Sequence, residues 1–361
     1  MNFIPVSRPY LDKSDVNYIN LHSLQKSIVA NGIPNQLFSN KIKDYLNYKY
    51  AVPVSNGSAA LIAAVSALRL KKNSNILIPN TTIISVLNAV YLNNLNPIFI
   101  DISIENWNVT LEEFKNCLLK NKIHAIILVG IYNSCSNQKE IKKICKKNNI
   151  KIIEDASESF GGMLNKKKLG SYGDITTLSF YANKLITTGE GGMILTNDKK
   201  VFEHVSKYIN LFFNKERDFK HEEIGFNFRM NAISCALGIS QFKRINKFLK
   251  YRKFLYELYV EKLNWEFYTT QEIGKNVDSS YWIFPIMLND NRNLLKLIKH
   301  LHKNQIQTRR LFFPLSEQPV NKKRHILSNS RKIYERGLYL PIGNGIKEAE
   351  VIRVAKVINS F

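Results

Sequence analysis

The sequence predicts an α/β fold with a largely parallel sheet, and three observations support this prediction. Short apolar runs rich in β-branched residues recur between polar turns, at 74–80, 96–102, 124–132, 150–156, 175–181 and 191–197. Helical patterns separate several of these runs, at 58–70, 83–94 and 137–149. Strands that alternate with helices are typical of a parallel sheet covered on both faces. The third observation is that the pattern changes beyond a long helical stretch at 231–263, which sets the part with the parallel sheet apart from the rest of the chain.

The C-terminal part of the chain predicts a second, smaller α/β domain. A long helical stretch at 231–263 leads to a strand-like run at 279–288, a helix at 293–305 and a final amphipathic helix. We therefore expect a large domain at 1–245 and a small domain at 246–361, both within the usual range of domain sizes.

Composition is that of an ordinary globular protein, since 45% of the 361 residues are hydrophobic and 22% are charged. No apolar run approaches the roughly 18 residues that span a bilayer. The N-terminus lacks a basic start followed by an apolar core, so no signal peptide is predicted and a cytoplasmic location is expected.

The four cysteines form no CxxC pair and do not cluster with histidines, which argues against disulfides or a metal site.

The net charge of +23 raises the question of nucleic-acid binding. The lysines are spread along the whole chain, however, and no nucleic-acid-binding motif accompanies them. We expect no nucleic-acid partner. Part of the charge is suited to attracting an anionic small molecule.

Three candidate chemical groups lie at predicted strand ends, where ligands bind in doubly wound sheets. The first is "VSNGSAAL" at 54–61, where a strand leads through Gly57 and Ser58 directly into a helix. Free backbone N–H groups and the helix dipole make such a start a seat for phosphate. The alternative interpretation is an ordinary serine N-cap.

The second group is a pair of carboxylates in "KIIEDASESFGG" at 151–162. Asp155 ends an apolar strand and Glu158 follows three residues later. A buried carboxylate needs a cation or hydrogen-bond donors, because burying it unpaired is costly. The alternative is that Asp155 only caps the next helix.

The third group is Lys184, between "SFYAN" and the glycine-rich "TTGEGG". A lysine held there can lose its proton and act as an amine nucleophile, although a surface lysine beside a hairpin turn is the alternative. A phosphate seat, a buried aspartate and a reactive lysine, in this order, are what pyridoxal phosphate needs for its phosphate, its ring nitrogen and its aldehyde. The joint occurrence of the three predicts a site for this cofactor.

With these motifs in place, the chain resembles the DegT-type, vitamin-B6-dependent aminotransferases that act on nucleotide-linked keto sugars. The segments that carry the resemblance follow the family's order along nearly the whole chain: "PVSNGSAAL", "IIEDASESFG", "GDITTLSF", "NKLITTGEGGMILTND", "GFNFRMNAISCALGISQ" and "YERGLYLP". The segments "ENWNV" (105–109) and "NKLITTGEGGM" (183–193) are most similar to the 4-aminotransferases of the family.

The resemblance implies a role for each matching residue. Lys184 would bind the cofactor's aldehyde and shuttle the proton, and Asp155 would pair with the pyridinium nitrogen, which makes these two the catalytic residues. The other implied cofactor contacts are Glu158 near the ring's 3-hydroxyl, Ile83 over the ring, and Gly57, Ser58 and Ser179 at the phosphate. Asn227 of "GFNFRM" would reach the phosphate of a neighbouring subunit, which implies a homodimer with two shared active sites.

The resemblance also implies a fold, a substrate class and a donor. The fold would be the aspartate-aminotransferase type (fold type I), with a large mixed-sheet domain and a small C-terminal α/β domain. The reaction would move an amino group from L-glutamate to a nucleotide-linked 4-keto-6-deoxy sugar for surface polysaccharide, with His221, Arg229 and Arg309 near the substrate. A dTDP- or UDP-linked sugar, a sugar dehydratase and a non-catalytic relative are the alternatives. Sugar 3-dehydratases carry histidine at the position of Lys184, which argues against that alternative.

Four positions depart from the family pattern and leave the substrate open. Ile83 stands where an aromatic residue is common. Gly130 and Asn133 replace the histidine and glycine of the usual "HLYG", and Ser316 replaces a histidine that tends to face the sugar.

Overall fold

The computed structural model describes residues 2–24, 28–30, 32–135, 137–214, 216, 218–289 and 293–361. Its strands are β1 (Tyr50–Val54), β2 (Asn75–Pro79), β3 (Asn96–Ile100), β4 (Ala125–Val129), β5 (Lys151–Asp155), β6 (Met163–Leu164), β7 (Lys167–Lys168), β8 (Ile175–Ser179), β9 (Gly192–Thr196), β10 (Tyr268–Thr269), β11 (Val277–Asp278), β12 (Phe284–Leu288), β13 (Arg309–Arg310) and β14 (Gly337–Leu340).

The α-helices are α1 (Lys13–Ile19), α2 (Ile33–Leu46), α3 (Gly57–Ala67), α4 (Ser85–Leu92), α5 (Leu111–Lys120), α6 (Gln138–Lys147), α7 (Lys199–Tyr208), α8 (Ala232–Phe242), α9 (Ile245–Lys262), α10 (Leu294–Lys303), α11 (Ser328–Arg336) and α12 (Glu348–Asn359). A short π-helix at Asn20–Leu24 and a 3₁₀ turn at Leu315–Glu317 complete them. None of the helices that the structure describes is long and apolar enough to cross a membrane.

The largest sheet has seven strands in the order β1-β9-β8-β5-β4-β2-β3. β9 runs antiparallel to both of its neighbours, and all the other strands of this sheet share one direction. Because those strands point the same way, their carboxyl ends meet at one edge, which is where residues 55–58, 155–158 and 179–184 follow β1, β5 and β8. The mixed α/β sheet predicted from the sequence is confirmed.

Burial explains why the strands of this sheet read as continuous apolar runs. Every residue of β4 and of β9 is buried, as expected for strands that helices cover on both faces. α3 buries its alanines, including Ala60, Ala63 and Ala64, against β8 and β9. Small side chains there let the helix axis lie close to the sheet.

A second sheet lies in the C-terminal part and has the order β10-β12-β14-β13, with every pairing antiparallel. α10 and α12 pack together beside it, and α12 also packs on α9. A third, three-stranded sheet joins β11 to β6 and β7. The C-terminal strands and helices thus form their own layers, while the boundary at 245/246 stays a prediction.

The observed bounds of several predicted elements differ from the prediction; the strand-like run predicted at 279–288, for example, is a strand only over Phe284–Leu288. The helical stretch at 231–263 consists of two helices, α8 and α9, because the chain turns at Lys243 and Arg244. The run predicted as a strand at 124–132 ends at Val129. Beyond it the chain leaves the sheet, and Tyr132 has a left-handed φ of 59°.

Candidate active site

The predicted phosphate seat forms at the start of α3. Asn56 caps the helix, since its side-chain oxygen accepts a hydrogen bond from the N–H of Ala59 at 2.8 Å. The N–H groups of Gly57 and Ser58 belong to the first turn, where donors have no partner within the helix. The Ser58 hydroxyl lies 2.7 Å from that of Ser85, the first residue of α4. Two helix starts therefore place hydroxyl and N–H groups together.

Ser179 is the last residue of β8 and lies directly against Gly57. A second glycine keeps this edge tight, because Gly192 pairs with both Val54 and Ser179 in the sheet. A Cβ on Gly192 would lie 2.6 Å from the carbonyl oxygen of Asn56. Gly192, in the glycine run after Lys184, therefore lets the phosphate seat pack against the start of β9.

Asp155 ends β5 and is buried, with 2% of its surface exposed. Its Oδ1 accepts hydrogen bonds from the Ser157 hydroxyl at 2.6 Å, from the Ser157 N–H at 3.1 Å and from the Thr177 hydroxyl at 3.3 Å. Burial raises the pKa of Asp155, while the Ser157 bonds and the charge of Lys184 act in the opposite direction. Asp155 does cap the following turn, as the alternative interpretation expects, but it also lines the cavity described below.

Glu158 lies one turn further along the chain and is also buried. Its Oε2 accepts a hydrogen bond of 2.7 Å from the backbone N–H of Tyr132. Burial raises the pKa of Glu158 to about 7, although the charge of Lys184 and the Tyr132 N–H oppose that rise. The carboxylate of Glu158 thus has two interactions: it binds the backbone of the left-handed turn at Tyr132, and it is attracted by the charge of Lys184.

Lys184 sits in the turn that follows β8, where its own N–H bonds the carbonyl of Tyr181 at 2.9 Å. Its Nζ lies 3.6 Å from the centre of the Trp282 ring, within the range of a cation–π contact. Burial lowers the pKa of Lys184 to about 8, and the charges of Glu158 and Asp155 limit the decrease. An amine with such a pKa is partly neutral near neutral pH and is therefore nucleophilic.

These groups converge on one cavity of about 510 Å³. Eight of the predicted site residues line it: Gly57, Ser58, Ile83, Asp155, Glu158, Ser179, Lys184 and Arg309. One end offers helix N–H groups and hydroxyls that suit a phosphate. The rest offers the buried carboxylate of Asp155 and the half-buried amine of Lys184, which suit a ring nitrogen and an aldehyde. The described residues therefore fit pyridoxal phosphate.

The other three predicted residues lie elsewhere in the chain. Asn227 and Arg229 line a separate recess of about 310 Å³, where the Arg229 Nε donates to the Asn227 side chain at 3.0 Å. His221 is exposed and its ring bonds the carbonyl of Leu211 at 2.6 Å. Within one chain these residues do not meet Lys184 in the same cavity. Among the described residues, no group of three or more His, Cys, Asp or Glu side chains is placed to hold a metal.

Comparison with known proteins identifies the family. Residues 9–359 match the model of the DegT/DnrJ/EryC1/StrS aminotransferase family. The chain belongs to this family. It is 31% identical over 365 residues to GDP-perosamine synthase of Escherichia coli O157:H7, a match that covers 100% of this chain and 99% of that protein.

Solved structures confirm the fold of this aminotransferase. PseC of Helicobacter pylori, an aminotransferase involved in the biosynthesis of pseudoaminic acid, superposes with a TM-score of 0.92 at 22% identity, over 99% of each chain. The GDP-4-keto-6-deoxy-D-mannose-3-dehydratase of E. coli, solved with bound hydrated PLP, gives a TM-score of 0.89 at 23% identity, again over 99% of each chain. The protein is therefore an enzyme of the aspartate-aminotransferase fold, as predicted.

The structure gives physical reasons for three of the departures from the family pattern. A Cβ on Gly130 would lie 3.0 Å from both Cβ and Oγ of Ser159, so a histidine there requires Ser159 to move. Asn133 donates from Nδ2 to the carbonyl of Ile283 at 2.6 Å, which ties the Tyr132 turn to the start of β12. Ser316 is buried and donates from its hydroxyl to the carbonyl of His325 at 2.7 Å. Ile83 lines the cavity as an aliphatic side chain.

Several cavity residues were not among those predicted: Asn56, Leu61, Ser85, Ser157, Tyr181, Asn183, Glu190, Trp282, Phe312 and Tyr339. Asn56 and Ser157 have a sequence signal, because each is a polar residue next to a predicted seat or carboxylate. Trp282 and Phe312 have none. Their rings lie nearly parallel to that of Tyr132, and they form an aromatic wall from segments far apart in sequence.

Proposed function

We propose that this aminotransferase transfers an amino group from L-glutamate to a nucleotide-linked 4-keto-6-deoxy hexose, and that its cofactor is pyridoxal phosphate. The observation that carries the proposal is the position of Lys184. Lys184 is half-buried, and burial lowers the pKa of its amine to about 8, while the charges of Glu158 and Asp155 limit the decrease. It lines a cavity that ends at the start of α3. The likeness to GDP-perosamine synthase supports the amino-sugar product.

The residues of this chain divide the work. Gly57, Ser58 and Ser179 would bind the phosphate through N–H and hydroxyl groups, and the dipole of α3 would favour its negative charge. Asp155 would hold a proton on the ring nitrogen. When bound, pyridoxal phosphate supplies an aldehyde that captures amines and a ring that accepts the electrons left when the α-carbon loses its proton.

Lys184 has two tasks in this scheme. Its amine would bind the aldehyde of the cofactor. The same amine, with a pKa of about 8, would act as general base and acid and move the proton at the donor's α-carbon. Lys184 also favours transamination over the dehydratase alternative, because dehydratases of this fold carry histidine at this position.

The working unit in this proposal is a homodimer. Asn227 and Arg229 lie in their own recess, and the segment that carries them bonds the chain just before Asn56, since the Ser55 N–H donates to the carbonyl of Phe228 at 2.7 Å. Because Asn227 and Arg229 do not line the cavity of Lys184 in their own chain, they are free to complete that cavity in a second copy, as the family resemblance implies. The cytoplasmic location stays a prediction.

The nucleotide and the sugar are tested by one assay. Purified protein is incubated with L-glutamate and a panel of GDP-, dTDP- and UDP-linked 4-keto-6-deoxy sugars, and the products are identified by mass. We expect an amino sugar, with the GDP-linked 4-keto-6-deoxymannose used best. A higher kcat/KM for a dTDP- or UDP-linked ketone would overturn the choice of nucleotide, and no amino sugar from any acceptor, despite a glutamate-dependent change in cofactor absorbance, would overturn the acceptor class.

A further inference from the structure

The turn that carries Lys184 is held by side chains from a distant part of the chain. Arg252 of α9 donates from one guanidinium nitrogen to the carbonyls of Asn183 at 3.2 Å and Lys184 at 2.7 Å. Asn344, which follows β14, donates from Nδ2 to the carbonyl of Leu185 at 2.7 Å. Three consecutive carbonyls around the reactive lysine are thus bonded by two side chains.

Arg252 also links these side chains to each other and to Trp282. Its Nε donates to the Asn344 Oδ1 at 2.8 Å, and its other terminal nitrogen approaches the Trp282 carbonyl at 3.5 Å. Trp282 is the residue whose ring lies under the Lys184 amine. One guanidinium therefore touches the backbone of the lysine and that of its aromatic partner.

The environment of Arg252 is unusual for a cation. Only 1% of its surface is exposed, and its four bonded oxygens belong to three carbonyls and one amide. Burial lowers its pKa to about 9. Among the described residues, no carboxylate forms an ion pair with Arg252. Burying a charge in this way is costly, so a gain in placing the lysine turn would explain its presence.

We propose that Arg252 and Asn344 are positioning residues for Lys184. By fixing the carbonyls at 183–185 and the backbone of Trp282, they keep the amine over the indole ring and away from solvent. The positive guanidinium behind the turn further disfavours a second positive charge on the amine, in agreement with its lowering effect on the Lys184 pKa. Asn344 binds both Arg252 and the Leu185 carbonyl, and so connects the loop after β14 to the lysine turn.

The test measures the lysine directly in the full-length chain after removal of bound cofactor. Acetic anhydride labels amines over a series of pH values, and mass spectrometry compares Lys184 with the exposed Lys275. Arg252→Lys keeps a charge but loses the fork, and Asn344→Ala leaves the guanidinium in place. Positioning predicts that both raise the pKa of Lys184, by about one unit, which is about a tenfold loss of neutral amine at pH 7.

Tyr259→Phe is the matched control. Tyr259 is buried on the same helix and donates to the carbonyl of Pro341 at 2.8 Å, so its loss removes one contact between α9 and the end of β14 without touching the lysine turn. We expect it to leave Lys184 labelling unchanged. In the loaded enzyme, the two positioning variants should lower kcat by about tenfold or more, with a smaller change in KM for glutamate.

The outcomes separate the possibilities. Unchanged Lys184 labelling in folded Asn344→Ala or Arg252→Lys overturns the inference, as does an equal shift in Tyr259→Phe. Circular dichroism identifies folded variants, and Asn344→Ala decides the matter where Arg252→Lys does not fold. The inference rests on the proposed role of Lys184, yet labelling requires no transamination, so a wrong substrate leaves it intact.

Discussion

Gly57 and Ser179 approach so closely that a side chain does not fit between them. A Cβ on Gly57 would lie 2.9 Å from the Cβ of Ser179 and 3.2 Å from its hydroxyl oxygen. The start of α3 and the end of β8 therefore meet only because residue 57 is a glycine. Both residues line the cavity at its predicted phosphate end.

Gly57→Ala should weaken cofactor binding, because the added methyl displaces the Ser179 hydroxyl from the seat. We expect the Kd for pyridoxal phosphate to rise about tenfold or more, which corresponds to the loss of roughly one good hydrogen bond to a charged group. Titration of the cofactor-free chain by absorbance measures it. Gly274→Ala is the control, since a Cβ there meets only the Val277 side chain at 3.5 Å. Equal Kd values for the two variants would contradict a role for this contact.

Lys184 should carry the cofactor. Borohydride reduction of the loaded enzyme, followed by peptide mapping, should find the pyridoxyl group on Lys184, and a label on another lysine refutes the assignment. Lys184→Ala should lower turnover by several orders of magnitude, because the one residue that both binds the cofactor and moves the proton is removed. Lys168→Ala, which removes a lysine that bonds the Tyr45 carbonyl at 2.8 Å, is the control.

Asp155 should matter more for rate than for binding. Asp155→Asn keeps the size of the side chain and an oxygen for the Ser157 bonds, but removes the charge that retains a proton on the ring nitrogen. We expect bound cofactor to persist and kcat to fall about a hundredfold or more, the scale of a lost charge contact in a transition state. Ser157→Ala removes only the hydroxyl donor and keeps the charge of Asp155, so it should have a smaller effect on kcat. Normal turnover by Asp155→Asn would show that Asp155 only caps the following turn and has no catalytic role.

The residues proposed to carry the chemistry could be predicted from the sequence, because each lies close in sequence to the end of a predicted strand. Asp155 is the last residue of β5, and Ser58 lies in the first turn of the helix that follows β1. Parallel strands bring their carboxyl ends together without further information. Trp282 and Phe312 could not be predicted from the sequence. Both line the cavity of Lys184 because of how the C-terminal part of the chain packs on the large sheet, and no period or spacing in the sequence indicates that packing.

The end of β4 shows the same limit on the scale of one strand. The apolar run continues through Ile131 and Tyr132, so periodicity alone predicts a longer strand. The chain leaves the sheet because distant groups bind it: Glu158 accepts the Tyr132 N–H, and Gln271 accepts the Asn133 N–H at 2.9 Å. Tertiary hydrogen bonds override local strand propensity at this point.

Asn227 should act across a dimer. Lys184→Ala and Asn227→Ala subunits, each inactive alone, should regain activity when mixed, since one site of each heterodimer then holds an intact Lys184 and an intact Asn227. Subunit exchange is verified with differently tagged chains. Lack of recovery despite proven exchange would show that Asn227 acts within its own chain or not at all. Phe226→Ala, on the same segment, tests whether the effect is specific to the amide.

Glu158 should make the stability of the cofactor-free chain fall as pH rises. Its pKa in the folded chain is about 7, against an ordinary value of 4.5, so between these values the folded chain holds a proton that the unfolded chain has lost. The stabilisation from this proton is complete below pH 4.5 and is lost as pH rises through 7. The shift corresponds to a free energy of unfolding on the order of 3 kcal/mol.

Glu158→Gln isolates this contribution, because the amide still fills the space but does not titrate in this range. Urea unfolding at a series of pH values should show the stability of the wild-type chain, relative to Glu158→Gln, falling across the window between 4.5 and 7. In a Lys184→Met background the opposing charge is gone, so the pKa of Glu158 should rise further and the window should extend to higher pH. A difference that does not vary with pH would mean that Glu158 is ionised throughout. The buried carboxylate would then be compensated by donors such as the Tyr132 N–H rather than by a proton.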